Sequence, residues 1–220
     1  MIANDIINEV SRQLNDVGKI TWIETSLLEY INSAVEVIAS FRPDASSIIT
    51  TMQMVAGTKQ TLPASALRLL EVTRNMGSAG TTPGRVIRGV EHEAISLFNS
   101  NWHSQAQVVE VKNYAYNEKN PRTFYVDPPS DGTEFVEISI SIVPTPVNDG
   151  QDVLGLKDIY RMHVVQWCMF RAYSIEVDSA SSQNRAAAHE KSFYQLMGKK
   201  FERDILFSPS VEVQEAQGGG

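Results

Sequence analysis

The sequence predicts an α+β protein: a helical bundle from N-terminal and C-terminal helix pairs, an inserted β-rich segment, and an extended C-terminal tail. Three observations predict it. Apolar residues recur every three or four positions at both ends of the chain, as on one helix face. The middle is rich in β-branched residues in short runs, with a period-two alternation near residue 140. The end of the chain is mostly polar and closes in glycines, too sparse in apolar residues to fold alone. The expected division is 1–45 for the N-terminal helices, 46–150 for the β-rich segment, 151–205 for the C-terminal helices, and 206–220 for the tail.

The first helix is read from Ile2, Ile6, Val10, Leu14 and Val17, one stripe that Gly18 stops. The second opens with Thr21 as cap and Glu24 at the reciprocal position of a capping box. Its stripe is Ile23, Leu27, Ile31, Ala34, Ile38 and Phe41, and Pro43 ends it by disfavouring helical geometry at Arg42. The short connection makes the two helices neighbours.

From Ser47 the texture changes. A β-branched run, a turn at Gly57-Thr58-Lys59 and a short strand ending at Pro63 read as a hairpin. Residues 67–75 read as a third strand, 77–84 as a flexible loop by composition, and 84–90 as a fourth strand. A short helix follows, with Ala94, Ile95 and Phe98 on one side. Residues 112–121 read as a second long loop. Two strands flank Ser130-Asp131-Gly132; the second alternates through Phe135, Ile138, Ile140 and Ile142 and ends at Pro144 and Pro146.

Asp152 to Val177 is the longest helix candidate. It is apolar nearly all round, so it should be covered on more than one side. The last helix is expected from Ser182 to Ile205, with Phe193, Met197, Phe201 and Ile205 four apart.

Composition narrows function mostly by exclusion. The 220 residues are 42% hydrophobic, enough for a real core. No apolar run approaches the ~20 residues of a membrane span. The start of the chain has no basic n-region of a signal peptide, and cytosolic synthesis is the simplest reading. A net charge of −7 disfavours tight DNA binding, yet suits a wall along which DNA slides without sticking.

No catalytic constellation stands out. His92, His103, His163 and His189 show no helical ligand pair, and Glu91-His92-Glu93 would point in different directions on a helix. Cys168 lies among Trp167, Met169 and Phe170, the setting of a buried structural thiol. There is no phosphate-cradling glycine loop. The expected sets of catalytic, cofactor-binding and metal-binding residues are therefore empty. A carboxylate pair for glycoside hydrolysis is not excluded, since its members can be far apart in sequence. Arg171 and Arg185 are read as salt-bridged helix faces or as contacts between subunits.

The order of features adds a resemblance. Trp22, Leu27-Leu28, Tyr30-Ile31-Asn32, Ala34 and Arg42-Pro43-Asp44-Ala45 form one block, and Gly57, Gln60, Leu62-Pro63, Leu70, Val72 and Arg74-Asn75 a second. Phe124 to Pro129, Val143 to Pro146, and the stretch from Arg171 to Phe193 follow in order. Together these resemble the adaptor, or head-to-tail connector, proteins of tailed bacteriophages over about residues 20–200. One departure is local: Ile23 follows Trp22 where a threonine is usual, which affects only the capping residue.

The resemblance implies a structural protein rather than an enzyme. Such adaptors form a ring, commonly of twelve copies, beneath the portal at the capsid–tail junction of the virion. The ring extends the DNA channel and gives tail nozzle or fibre proteins a platform. DNA passes without specific binding, and neither a cofactor nor a membrane is involved. The bundle is expected to make ring contacts, including Arg171 and Arg185. The tail, through Phe207, Val211 and Val213, is expected to dock on the portal, and the β-rich segment to face outward or toward the tail tube and meet nozzle or fibre proteins. The alternative is a virion-associated cell-wall hydrolase or another tail-completion protein.

Overall fold

The computed structural model describes residues 1–175 and 180–207, with side chains through residue 199. It is α+β, with five α-helices and two β-sheets. The helices are α1 (Ala3–Gln13), α2 (Glu24–Phe41), α3 (His92–Phe98), α4 (Arg161–Ile175) and α5 (Ala180–Phe207). The strands are β1 (Ser47–Gln53), β2 (Gly57–Thr61), β3 (Ala66–Asn75), β4 (Arg88–Gly89), β5 (Asn113–Tyr116), β6 (Thr123–Ser130) and β7 (Phe135–Ile142). Two compact units emerge: Met1–Ala3 with Val35–Tyr160, and Asn4–Ala34 with the described residues from Arg161 onward.

In the β-rich unit the sheets run in the orders β1-β7-β3 and β2-β6-β5-β4. The hairpin expected between β1 and β2 does not form. Instead β1 pairs antiparallel with β7, from Ser47↔Ser141 to Gln53↔Phe135, and β2 pairs with β6 down to Thr61↔Thr123. The stretch 47–61 therefore lies along 123–142 as one long antiparallel ribbon that changes sheet halfway. The corner is built locally. The Gln60 side chain donates to the carbonyls of Val55 and Gly57 and accepts from the Val55 N–H, bonds that a tight hairpin would place in its ladder. Gly57 and Gly132 have positive φ, and a Cβ on Gly132 would come within 2.9 Å of the Ala56 nitrogen. A backbone approach that close requires glycine.

The ribbon lets both sheets share one core: Met54, Leu69, Val72, Phe124, Val126, Val136, Ile138 and Ile140 are all buried. On β7 the even-numbered residues point inward, while Phe135 packs outside them under Gly80. On β3 burial falls on Ala66, Leu69, Val72 and Asn75, every third residue instead of every second. Register shifts at three places along the β3–β7 ladder account for it, since each extra residue flips the face of those that follow. The 77–84 loop is held by its own backbone bonds, from Gly80 N–H to Gly77 O and from Thr82 N–H to Met76 O. Within the stretch read as the 112–121 loop lies β5, joined to β4 in parallel through a crossover that carries α3.

Helix boundaries also differ from expectation. The first helix stops at Gln13, so Val17 is exposed. Asn15 and Lys19 turn to positive φ, and the Asp16 carboxylate accepts the N–H groups of Ile20, Thr21 and Trp22 at 2.9–3.0 Å. Thr21 is thus a donor to Asp16 and not the cap of α2, and Glu24 is ion-paired with Lys19. Residues 152–154 are not helical. They bridge the first residues of the chain, with Ala3 N–H donating to Asp152 O and Leu154 N–H to Met1 O. Gly155 sits against Pro144, where a Cβ would meet it at 3.1 Å.

The Asp16 turn makes a pH prediction. The N–H donors, that of Trp22 foremost, hold the Asp16 carboxyl below its usual range. A depressed folded-state pKa means its stabilisation is complete above the ordinary carboxylate value and is lost as pH falls through the folded one. Asp16→Ala is expected to lower the melting temperature at neutral pH, and the gap to wild type to close as the solution becomes strongly acid. Thermal melts of both proteins across that range check it; a gap independent of pH would exclude the mechanism.

In the helical unit, α1 buries Ile6, Ile7 and Val10, and α2 buries Leu27 and Ile31. Contacts that tie these helices to α4 include Arg161 with Glu9 at 2.8 Å, Trp167 Nε1–H donating to Ser33 Oγ at 3.1 Å, and the Arg171 guanidinium over the Tyr30 ring. The most frequent contacts of α4 are with α5. Among the described residues no helix is long and apolar enough to cross a membrane.

Candidate functional site

Two surfaces carry exposed groups that the fold itself does not use. The first is the α4–α5 hairpin. Trp167 and Phe193 meet at 4.9 Å between ring centroids and form its buried centre. Beside them Tyr173 stacks on His189, whose Nδ1 hydrogen-bonds Gln166 Oε1 at 2.8 Å. Burial lowers the His189 pKa, which favours the neutral ring in this packed position. Arg185 covers the Tyr173 ring at 5.6 Å, as Arg171 covers Tyr30 at 5.9 Å. Both arginines are exposed, with their guanidinium groups over aromatic rings. Sequence reasoning named the arginines without pairing them with the tyrosines, because Tyr30 is far from Arg171 along the chain.

The C-terminal residues singled out from the sequence are placed differently. Phe207 is the last residue of α5, and its side chain lies outside the described set; Val211 and Val213 lie outside the described residues altogether.

The second surface lies on the β-rich unit around α3, and sequence reasoning missed it. An apolar cavity of about 350 Å³ opens between α3, β5 and β6, lined by Val90, Ala94, Ile95, Phe98 and Pro128. Phe98, read with Ala94 and Ile95 as one side of the helix, is 93% exposed, and its neighbour Leu97 is 86% exposed. The helix is too short to turn all its apolar residues inward, and Ile95 alone of these is buried. Next to it lies a second cavity of about 380 Å³ lined by Arg85, Val86, Arg88, Lys112 and Asn113. The two share Lys112 and Asn113, so they form one groove with an apolar half and a basic half.

Asn75 holds the basic half in shape. It is fully buried at the end of β3, where its Nδ2 donates to the carbonyls of Arg85 and Val111 and its Oδ1 accepts the Val111 N–H. A single amide thus fixes two chain segments, one carrying Arg85 and the other Lys112. β4–β5 pairing adds Arg88, whose N–H donates to Lys112 O. These three cations form no ion pair among the described residues, whereas Arg68, Arg74 and Arg161 each hold a carboxylate.

The other residues weighed for chemistry have structural surroundings. His92, Trp102, His103 and Tyr125 form an aromatic cluster, in which His103 stacks on Trp102 at 3.7 Å and its Nδ1 hydrogen-bonds Thr58 Oγ1 at 2.8 Å. Among the described residues no group of His, Cys, Asp or Glu is arranged to hold a metal ion. Cys168 is buried, and desolvation pushes its thiol far above the ordinary range, the opposite of an activated nucleophile.

The sequence model of the SU10 adaptor protein family matches residues 1–213 of the chain. No curated protein resembles the chain closely enough to count as a match.

Proposed function

Because the chain belongs to the SU10 adaptor protein family, a bacteriophage adaptor family, we propose that its copies form a ring, of twelve, beneath the portal at the head–tail junction. In this reading the ring prolongs the DNA channel and presents a platform to tail nozzle or fibre proteins. The family match across nearly the whole chain carries the proposal. The alternative of a cell-wall hydrolase would need paired carboxylates in a cleft, and neither of the two cavities described is lined by such a pair.

The roles follow the division proposed from the sequence. The helices of 1–45 and 151–205 act as a bundle that makes the ring contacts, with the exposed Arg171 and Arg185 meeting the next copy. Residues 206–220 dock on the portal through Phe207, Val211 and Val213. The β-rich segment, 46–150, faces the tail. The net charge of −7 supports a channel wall that repels DNA and lets it slide.

The test is native mass by light scattering, for the protein alone and mixed with its cognate portal, followed by negative-stain imaging. A ring of twelve copies stacked on the portal is expected. A monomer that ignores the portal would overturn the reading. Deleting 206–220 is expected to abolish portal binding while leaving the melting temperature unchanged; undiminished binding would reassign the contact to the helices.

A further inference from the structure

We propose that the groove beside α3 receives an extended polypeptide segment of the tail-side partner, with a bulky apolar side chain in the apolar half and carboxylates over Arg85, Arg88 and Lys112. This deepens the adaptor reading and rests on it, since it names the chemistry of the partner that the platform holds.

Charge carries the first part. Three cations of the β-rich unit hold carboxylates of their own: Arg42 with Asp44, Arg68 with Glu118, Arg74 with Glu137. Arg85, Arg88 and Lys112 instead converge on one cavity. Of the carboxylates on this side, Asp127 lines the apolar cavity and accepts from Asn113 Nδ2 at 3.0 Å, and Glu110, whose Oε1 lies beside Gly84, forms no ion pair with the three cations among the described residues. Bringing three like charges together raises their mutual repulsion, and an incoming carboxylate pair relieves it while gaining charge-assisted hydrogen bonds.

The apolar half carries the second part and separates a polypeptide from DNA. A phosphate backbone has no use for a cavity lined by Val90, Ala94, Ile95 and Pro128, whereas a leucine or phenylalanine side chain fills one. Phe98 is already exposed, so covering it by a partner recovers apolar surface that the fold leaves in water. The groove is also ready before binding. Asn75 and the β4–β5 pairing fix the segments bearing the cations, so a partner does not have to order them.

The experiment measures the affinity of the full-length protein for its purified cognate nozzle protein, for wild type, Phe98→Ala, and the double variant Arg88→Glu with Lys112→Glu. All three substituted side chains are exposed, so urea midpoints and portal binding should stay at wild-type values and serve as controls. Each variant is expected to bind the nozzle protein at least about tenfold more weakly. Affinity should fall with salt for wild type and Phe98→Ala alike, and lose most of that salt dependence in the double variant. Equal binding by wild type and variants would overturn the inference but leave the adaptor reading standing. A wild type that binds no tail protein would overturn both. Loss of duplex-DNA retention in the double variant, with nozzle binding intact, would reassign the cations to nucleic acid. Displacement of the nozzle protein by a peptide of residues 206–217 would reassign the groove to the chain's own C-terminal segment. Either result overturns the proposal.

Discussion

Replacing Asn75 with alanine is expected to destabilise the protein by about 2–5 kcal/mol. The amide is fully buried and makes three hydrogen bonds, at 2.9–3.1 Å, to backbone groups of two separate segments. Alanine would leave the Val111 N–H and C=O without those partners inside the core, and a buried orphan costs about 1–3 kcal/mol each. The Arg85 carbonyl is better protected, because the Asn75 backbone N–H also donates to it. The variant should therefore free the Lys112 side of the groove more than the Arg85 side. Urea denaturation gives the stability loss. Hydrogen exchange gives its location, with the Val111 amide losing protection first. A midpoint shift too small to resolve would mean that water replaces the amide, and that the groove is shaped by β4–β5 pairing alone.

Asn75 also shows what the sequence could and could not disclose. In the sequence it reads only as the end of a strand and as half of an Arg-Asn pair, because nothing local marks a residue whose partners lie at 85 and 111. The same holds for the groove. Arg85, Arg88 and Lys112 look like scattered surface cations until β4 and β5 run side by side. Local signals were readable where they decided the structure: the stripe Ile6, Val10, Leu14 is buried as expected, and so are Leu27, Ile31 and Ala34. They failed where one side chain overrode a pattern. Val17 continues the α1 stripe on paper, but Asp16 captures the following N–H groups and turns the chain away. Two β-runs about a turn Gly read as a hairpin, but each pairs with a longer strand about 60 to 95 residues away, and no periodicity reveals that. In the same way the bulges of β3 convert a period of two into a period of three, so the strand could be placed but its inward face could not.

The largest effect expected in the helical unit is that of Phe193→Ala, about 3–5 kcal/mol. Phe193 has no exposed surface and packs its ring against Trp167 at 4.9 Å. Removing it opens a cavity beside a tryptophan that is itself held, through its Nε1–H, by Ser33. The neighbours cannot easily fill the space. Trp167 would have to give up that hydrogen bond to tilt inward, and Met197, one turn along α5, is already buried in its own contact. The cost should thus approach the transfer term plus most of the cavity term rather than the transfer term alone. Tyr194→Ala at the next position is the control, since Tyr194 is about half exposed and its loss should cost about 1 kcal/mol or less. Guanidinium denaturation of the two variants measures the contrast. The assembly reading then makes a further demand on the same pair. If the α4–α5 hairpin forms ring contacts, Phe193→Ala should lower portal occupancy only at temperatures where the variant unfolds. An exposed contact residue such as Arg185 should lower it at every temperature without changing the melt. A Phe193→Ala protein that is fully folded yet absent from the portal would place the buried aromatic centre, and not the surface over it, in the ring interface.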